Sequence, residues 1–365
     1  MEPQPPSDPA AVPQPPGAGR RAWLRVALFG GGVAGLGGVA GLGLNRLTRN
    51  QKPPPRQKPA LGPEFTYDVS SYQRSDPALL RYEEESRFAC GLSRPGALAA
   101  AGDAVFIGGD GGVRKTSATG ELQAEFKTPH PVRAVAVRPN GGLLVGEPGG
   151  IRVFDAAATE LAYWNQLGEK LLPTSIAVAE DAVYVADAGT RVVLKLDFNG
   201  KQLMAIGARD PDRNLSGFVV PSPYFCVRMA PDGLLRISNP GEHLIEAFTT
   251  GGDREVAWGR GSLAVEGFCG CCNPVNFEVL PDGSFVTCEK GLPRVKTYDV
   301  HGEFVGLVAG PEAFPEYLKA ANTGTLDPHH AGIYAALGSN GRVLVLDAVS
   351  GTVRVMKPIA REVAP

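Results

Sequence analysis

The sequence predicts an all-β protein, a six-bladed β-propeller carried behind an N-terminal transmembrane or signal-anchor helix. Three observations predict it. From Leu92 onward a unit of alternating apolar and polar residues, a turn and a second alternating run ending in a polar residue recurs six times. Repeats of this size mean a stack of supersecondary units, none of which can bury its own faces alone. Ahead of them, Val26 to Leu44 is free of charge over 19 residues, about the length that crosses a hydrocarbon core. The composition agrees, since 47 Gly and 32 Pro suit many short strands joined by tight turns.

Taken in order, residues 1–19 are rich in Pro and Gln with almost no large apolar residue, which predicts a disordered tail. Residues 20–47 hold the anchor. Its leading Arg20-Arg21-Ala-Trp-Leu-Arg25 resembles a twin-arginine export signal, and no small-x-small cleavage site follows Leu44. The expectation is an uncleaved membrane anchor with the propeller outside the cytoplasm, in a periplasmic setting. Five bases after the apolar run, against three before it, pull toward the opposite orientation. Residues 48–64 read as a Pro-rich linker. Residues 65–91 precede the first repeat, and Leu80 to Ala89 is expected to supply an outer strand that the last repeat lacks, closing the ring. The propeller spans residues 92–358, and 359–365 is a tail.

Within the repeat, the clearest unit runs from Ser175 through Val183-Tyr-Val-Ala-Asp187 to Arg191-Val192. Period-2 alternation over five or six residues gives strands. The polar residue closing the second strand recurs as Asp110, Glu147, Asp187, Asn239, Cys288 and Asp347, spaced by 37, 40, 52, 49 and 59 residues. A basic residue follows each, at Arg114, Arg152, Arg191, His243, Arg294 and Arg354. Turns such as Pro231-Asp-Gly233 and Pro281-Asp-Gly283 separate the first two strands.

Val183 to Val192 resembles the NHL-repeat consensus, in which a Val-Tyr-Val-Ala-Asp strand runs into a Gly-Asn-Arg-Val turn, and the resemblance covers about residues 92–356. It implies a six-bladed NHL propeller, a fold that serves binding modules, lyases and hydrolases alike. Gly267-Phe-Cys-Gly-Cys-Cys-Asn-Pro274, with Glu289-Lys-Gly291 behind it, is similar to a bacterial subgroup of anchored or exported NHL proteins. In related hydrolases an acid and an Asn around the channel mouth hold a divalent cation, so the resemblance singles out Asp110, Glu147, Asp187 and Asn239. An Asp at that position also commonly caps the turn after its strand.

The connections before blades 4, 5 and 6 are long, roughly Gly207–Val220, Gly259–Asn273 and Gly310–Pro328. They are expected on the face that carries the loops after each second strand, and function concentrates in such loops. The first two share a Gly-Phe pair, Gly217-Phe218 and Gly267-Phe268. Glu289, Lys290 and Arg294 add charge to this rim, either to bind an anion or to pair with one another.

Cys269, Cys271, Cys272 and Cys288, with His329 and His330 nearby in the fold, suggest a soft-metal site for copper, zinc or an iron–sulfur cluster. Cys-x-Cys-Cys is not the usual Cys-x-x-Cys spacing. Disulfides such as one from Cys288 to a clustered Cys, or free redox-active thiols, explain the same residues. His243 reads as scaffold at a repeat position, His130 as a loop residue and His301 as exposed in a turn.

Residues 1–60 carry an excess of six positive charges against a chain total of −2, which leaves about −8 for the rest. The acidic body lacks the basic stripe that a phosphate backbone requires, so nucleic acid is not an expected partner. No nucleophile elbow, phosphate loop or His-Glu-x-x-His motif is present. The functional expectation is a membrane-anchored propeller that binds a protein or small ligand, within a membrane-associated redox assembly. The alternative is a metal-dependent hydrolase or lyase working at the channel mouth.

Overall fold

The computed structural model describes residues 69–360. They form six four-stranded antiparallel sheets. Each sheet in the first five is made of four consecutive strands, as the hairpin turns between them require. The sixth joins the ends of the chain. Strand β1 (Tyr82–Ala89) is its outer strand and pairs antiparallel with β24 (Thr352–Pro358), from Tyr82 opposite Pro358 to Ala89 opposite Thr352. Arg342 pairs with Glu85 at 2.5 Å, and Arg354 with Glu84 at 2.5 Å, across the same seam. With β1 in place, β24 is paired on both sides at the ring closure.

The predicted anchor, residues 20–47, lies outside the described residues, as do the tail and linker on either side of it. No helix among the described residues is long and apolar enough to cross a membrane.

The core is a set of clusters between neighbouring blades, built of β-branched and aromatic side chains. The axis itself is filled. The first strands of the blades leave about 20 Å³ of free space there, room for about one water. Arg228 and Glu278 make a bidentate pair beside it, Nε to Oε2 at 2.8 Å and Nη2 to Oε1 at 2.5 Å, while Arg228 Nη1 donates to Ser175 Oγ at 2.6 Å. Such a plug leaves the loop face, rather than a tunnel, as the surface open to ligand.

The register corrects two of the predicted repeat positions. The second strands end at Gly109, Glu147, Asp187, Asn239, Glu289 and Asp347. Asp110 therefore lies one residue past the position, in a two-residue hairpin loop between Gly109 and Gly112. Cys288 lies one residue before it. A one-residue offset in a strand puts the side chain on the opposite face, and Cys288 accordingly sits fully buried in the apolar core. The basic residues divide likewise. Arg114, Arg152 and Arg354 lie within third strands, where Glu246 and Lys296 are their counterparts in blades 4 and 5. Arg191 and His243 instead close four-residue loops with positive φ, 61° and 59°.

Candidate functional site

The three long connections, residues 207–226, 259–275 and 310–332, do lie at the end of the blades that carries the loops after the second strands. Contacts place them there. Val219 N–H donates to Asn239 Oδ1 at 2.9 Å, and Cys269 N–H to Glu289 Oε1 at 2.7 Å. Each donor is 20 residues before its acceptor. In both, the preceding residue is a buried Phe, Phe218 against Phe225 and Phe248, or Phe268 against Trp258 and Tyr298. Blades 4 and 5 thus hold their insertions by one shared device: an aromatic wedge, then an amide tied to the polar residue that ends the second strand.

Beneath the Cys-bearing insertion the device is elaborated into a buried ionic cluster. Glu289 Oε2 receives Arg294 Nε at 2.6 Å and lies 3.1 Å from Lys296 Nζ. Glu289 and Lys296 are wholly buried and Arg294 nearly so. Their spare donors go to loop carbonyls: Lys296 Nζ to Gly267 O at 2.7 Å and Val265 O at 3.2 Å, and Arg294 Nη1 to Leu263 O at 3.1 Å. Lys296 also stands over the rings of Phe268 and Tyr298, 4.5 and 5.2 Å from their centroids. Burial pulls its ammonium down to about 8, against the opposing pull of Glu289. Burial and the Glu289 carboxylate push the Cys269 thiol up to about 11.

The next residues are fixed from the other side. Asn273 Nδ2 donates to Cys269 O at 2.6 Å and Lys290 O at 3.0 Å, and its Oδ1 accepts Lys290 N–H at 2.9 Å. His243 Nε2 meets Gly270 O at 2.6 Å. Between these anchors Cys271 Sγ and Cys272 Sγ approach to 3.6 Å, Cys271 exposed and Cys272 buried. All six cysteines are free thiols.

Lys290 links three parts of the face. Its Nζ donates to Ser222 Oγ of the first insertion at 3.2 Å and Pro328 O of the third at 2.9 Å, and lies 4.5 Å from the centroid of the Tyr224 ring. Tyr224 packs near Tyr334, ring centroids 6.4 Å apart, and its buried hydroxyl has no hydrogen-bond partner. Arg133, at the mouth of the axis, donates to His329 O at 3.3 Å and lies 3.4 Å from His330 Nε2. His330 Nδ1 is 2.7 Å from Asp327 Oδ2. With Nδ1 carrying the proton toward Asp327, Nε2 is left as an acceptor. The third insertion folds into a short helix, α1 (Pro315–Asn322), whose buried Tyr317 hydroxyl accepts Gly291 N–H at 2.8 Å and donates to Ala331 O at 3.2 Å.

The predicted site residues are therefore only partly brought together. Glu147 pairs with Arg152 at 2.8 Å, and Asp187 accepts from Leu172 N–H, Gly189 N–H and the Thr190 hydroxyl. Asn239 donates to Glu246 at 2.9 Å. These three are buried scaffold, as is the Glu289–Arg294 pair, while Asp110 is half-exposed and 4.0 Å from Arg94. Lys290 is the predicted rim charge that reaches the face. Among the thiols, Cys269, Cys271 and Cys272 share a loop, whereas Cys288 belongs to the core. Among the described residues no group of three or more His, Cys, Asp or Glu is arranged to hold a metal. Sequence reasoning passed over Arg133, Ser222, Tyr224, Asp327 and Lys296. Tyr224 had a signal, standing in the Pro-Tyr-Phe stretch that matches the second insertion.

Similarity to other proteins bears on the fold. No protein-family model and no curated protein matches the sequence. A streptogramin B lyase is similar in structure, with a TM-score of 0.52 at 11% identity, over 78% of this chain and 100% of that one. A structural genomics protein of unknown function from Bacteroides thetaiotaomicron is similar as well, with a TM-score of 0.54 at 14% identity, over 75% of this chain and 71% of that one. At such identities the likeness is one of fold alone. The chain is a six-bladed propeller.

Proposed function

We propose that this chain is an NHL-type propeller, tethered to a membrane by residues 20–47 with the propeller on the extracytoplasmic side, that uses the mouth of the axis and the insertions of blades 4 to 6 beside it to bind a partner or ligand bearing an anionic group. The observation that carries the reading is a contrast among cations. Arg152, Arg228, Arg294, Lys296 and Arg354 each lie against a carboxylate. Lys290 and Arg133, at the face, have only neutral partners among the described residues. Lys290 is buried there without an anion, which is costly, and an incoming carboxylate or phosphate supplies one, with bidentate recognition by the half-buried Arg133. The neighbouring thiols are what suits the site to a redox assembly.

The test is binding of citrate, inorganic phosphate and a Glu-rich peptide by the purified chain, followed by titration calorimetry at two salt concentrations. At least one of these binds, more weakly at higher salt, and roughly tenfold more weakly to Lys290→Ala and Arg133→Ala, about 1.4 kcal/mol. Equal binding by both variants overturns the reading. For the tether, the full chain is expected in the membrane fraction and a chain lacking residues 20–47 in the soluble one.

The Asp327–His330 pair favours a second reading, an enzyme of the lyase or hydrolase class working at the mouth. Asp327 would hold the imidazole by Nδ1, Nε2 would accept a proton once Arg133, 3.4 Å from it, turns to the substrate's anion, and the plugged axis would confine chemistry to the face. In that case His330→Ala abolishes turnover of a bound ligand while leaving its affinity nearly intact.

A further inference from the structure

We propose that Cys271 and Cys272 form a redox-active dithiol that exchanges with disulfides arriving at the axial face. Three observations carry this. The two sulfurs are 3.6 Å apart, near enough for direct attack of one on the other, and closing them to the ~2.05 Å of a disulfide makes a strained bond between adjacent residues. One is exposed and the other buried, which divides the roles: Cys271 meets the incoming disulfide and Cys272 waits behind it. The segment that bears them is held at both ends, by Glu289 and Lys296 at Gly267–Cys269 and by the Asn273 side chain. Such clamping belongs to a presented pair more than to a free surface loop.

The other thiols have different surroundings. Cys226 and Cys288 lie in apolar clusters within the blades, and Cys90 is buried near Gly351. Cys269 faces the carbonyl of Lys290 at 4.0 Å. The Cys272 thiol beside it and partial burial push the Cys271 thiol up, against a smaller opposing pull from the Lys290 ammonium. Forming a Cys271–Cys272 bond from the two free thiols releases two protons in all.

The Cys271 thiolate attacks one sulfur of an external disulfide, forming a mixed disulfide and releasing one thiolate. Cys272, deprotonated, then attacks Cys271 Sγ, forming the Cys271–Cys272 bond and releasing the second thiolate. The pair is oxidised by two electrons, the external disulfide is reduced to two thiols, and the two protons lost by the pair are the two they take up. Adjacent Cα atoms stand 3.80 Å apart across a trans peptide, closer than the 4.4–6.8 Å usual for bridged cysteines. The oxidised pair is therefore strained and passes its oxidising equivalents on to a dithiol, since strained disulfides are the labile ones. The inference does not rest on anion binding at Lys290 and survives its failure.

The experiment treats the reduced full-length chain with glutathione disulfide, quenches with acid, and maps thiols by mass. The expected product is the loss of two hydrogens from the peptide holding Cys271 and Cys272, reversed by dithiothreitol. Cys272→Ser is expected to accumulate one glutathione on Cys271, at roughly tenfold the level seen in the wild-type chain, because the resolving step is gone. Cys271→Ser is expected to take up neither. A stable single glutathione adduct in the wild-type chain, a bridge from Cys271 to Cys269, or no reaction at all would each overturn the proposal. Because the wild-type outcome decides by itself, a variant that misfolds does not blunt the test.

Discussion

Blades 4 and 5 accept insertions by the same wedge and the same 20-residue amide link, yet they fill the space beneath them differently. In blade 4 the acceptor is neutral Asn239, and its partner on the third strand is Glu246, which pairs outward with Arg254 at 2.9 Å. A cavity of about 250 Å³ remains there, with Asn239, Glu246 and Arg254 in its wall. In blade 5 the acceptor is ionised Glu289, and its partners Arg294 and Lys296 turn upward into the loop and occupy the corresponding space. The comparison teaches that a repeat can keep its geometry while exchanging the sign of its buried charge. Where Arg294 and Lys296 lie beneath it, the loop is tied at three carbonyls, those of Leu263, Val265 and Gly267, and carries the thiols. In blade 4 the loop is tied more sparsely and the space stays open.

The sharpest way to break the comparison is Glu289→Ala. It strands two buried cations, and breaking a buried ion pair by removing one partner costs about 3–5 kcal/mol. Denaturant unfolding should show that loss, and the buried thiols Cys269 and Cys272 should become reactive to maleimide before global unfolding. A cost below about 1 kcal/mol with both thiols still protected would mean that the loop holds itself. Asn239→Ala is the matched change in blade 4. It orphans the Val219 amide but leaves Glu246 on Arg254, so about 1–3 kcal/mol is expected, without change in thiol reactivity.

Much of this was legible in the sequence and some was not, for identifiable reasons. Six blades followed from the alternation and the turns, and the shared Gly-Phe pairs marked the two insertions as related. The position of the acid in blade 5 was readable as well. Counting six residues on from the turn glycines Gly141, Gly233, Gly283 and Gly341 reaches Glu147, Asn239, Glu289 and Asp347. Matching by local resemblance instead selected Cys288, and the period of two then placed a core thiol on the wrong face. Blade 1 misled differently, because a glycine, Gly109, holds the last position of its second strand and the acid, Asp110, comes one residue later in the hairpin loop. Lys296 carried no signal, since a lysine in an alternating strand reads as solvent-facing until the insertion that covers it is in place. The meeting of Lys290 with Ser222 and Pro328 joins residues 68 and 38 positions apart, which no local pattern encodes. The helix α1 formed within a connection read only as a long loop.

A pH series sharpens the charge contrast. Lys296 has its folded value near 8, below the roughly 10.4 of an unfolded lysine. Below pH 8 both states hold the proton and the cost of the buried charge is fully present. Between about 8 and 10.4 the unfolded state holds a proton that the folded state has released, so stability rises with pH through that window. A gain on the order of 1–2 kcal/mol is expected for the wild-type chain relative to Lys296→Met. Parallel curves for the two proteins would show that the amine stays charged when buried.

The smallest effect separates the two wedges. Phe218 and Phe268 are both buried against two aromatic neighbours, but Lys296 stands over the ring of Phe268 alone. Replacing each by Leu removes similar apolar area, so the transfer and packing costs should be close. The remaining difference is the cation–π contact, roughly 0.5–2 kcal/mol when desolvated. Phe268→Leu should therefore cost about that much more than Phe218→Leu in denaturant unfolding, and the excess should vanish in a Lys296→Met background. If the excess persists there, it comes from packing against Trp258 and Tyr298, and the ionic cluster of blade 5 acts on its loop through hydrogen bonds alone.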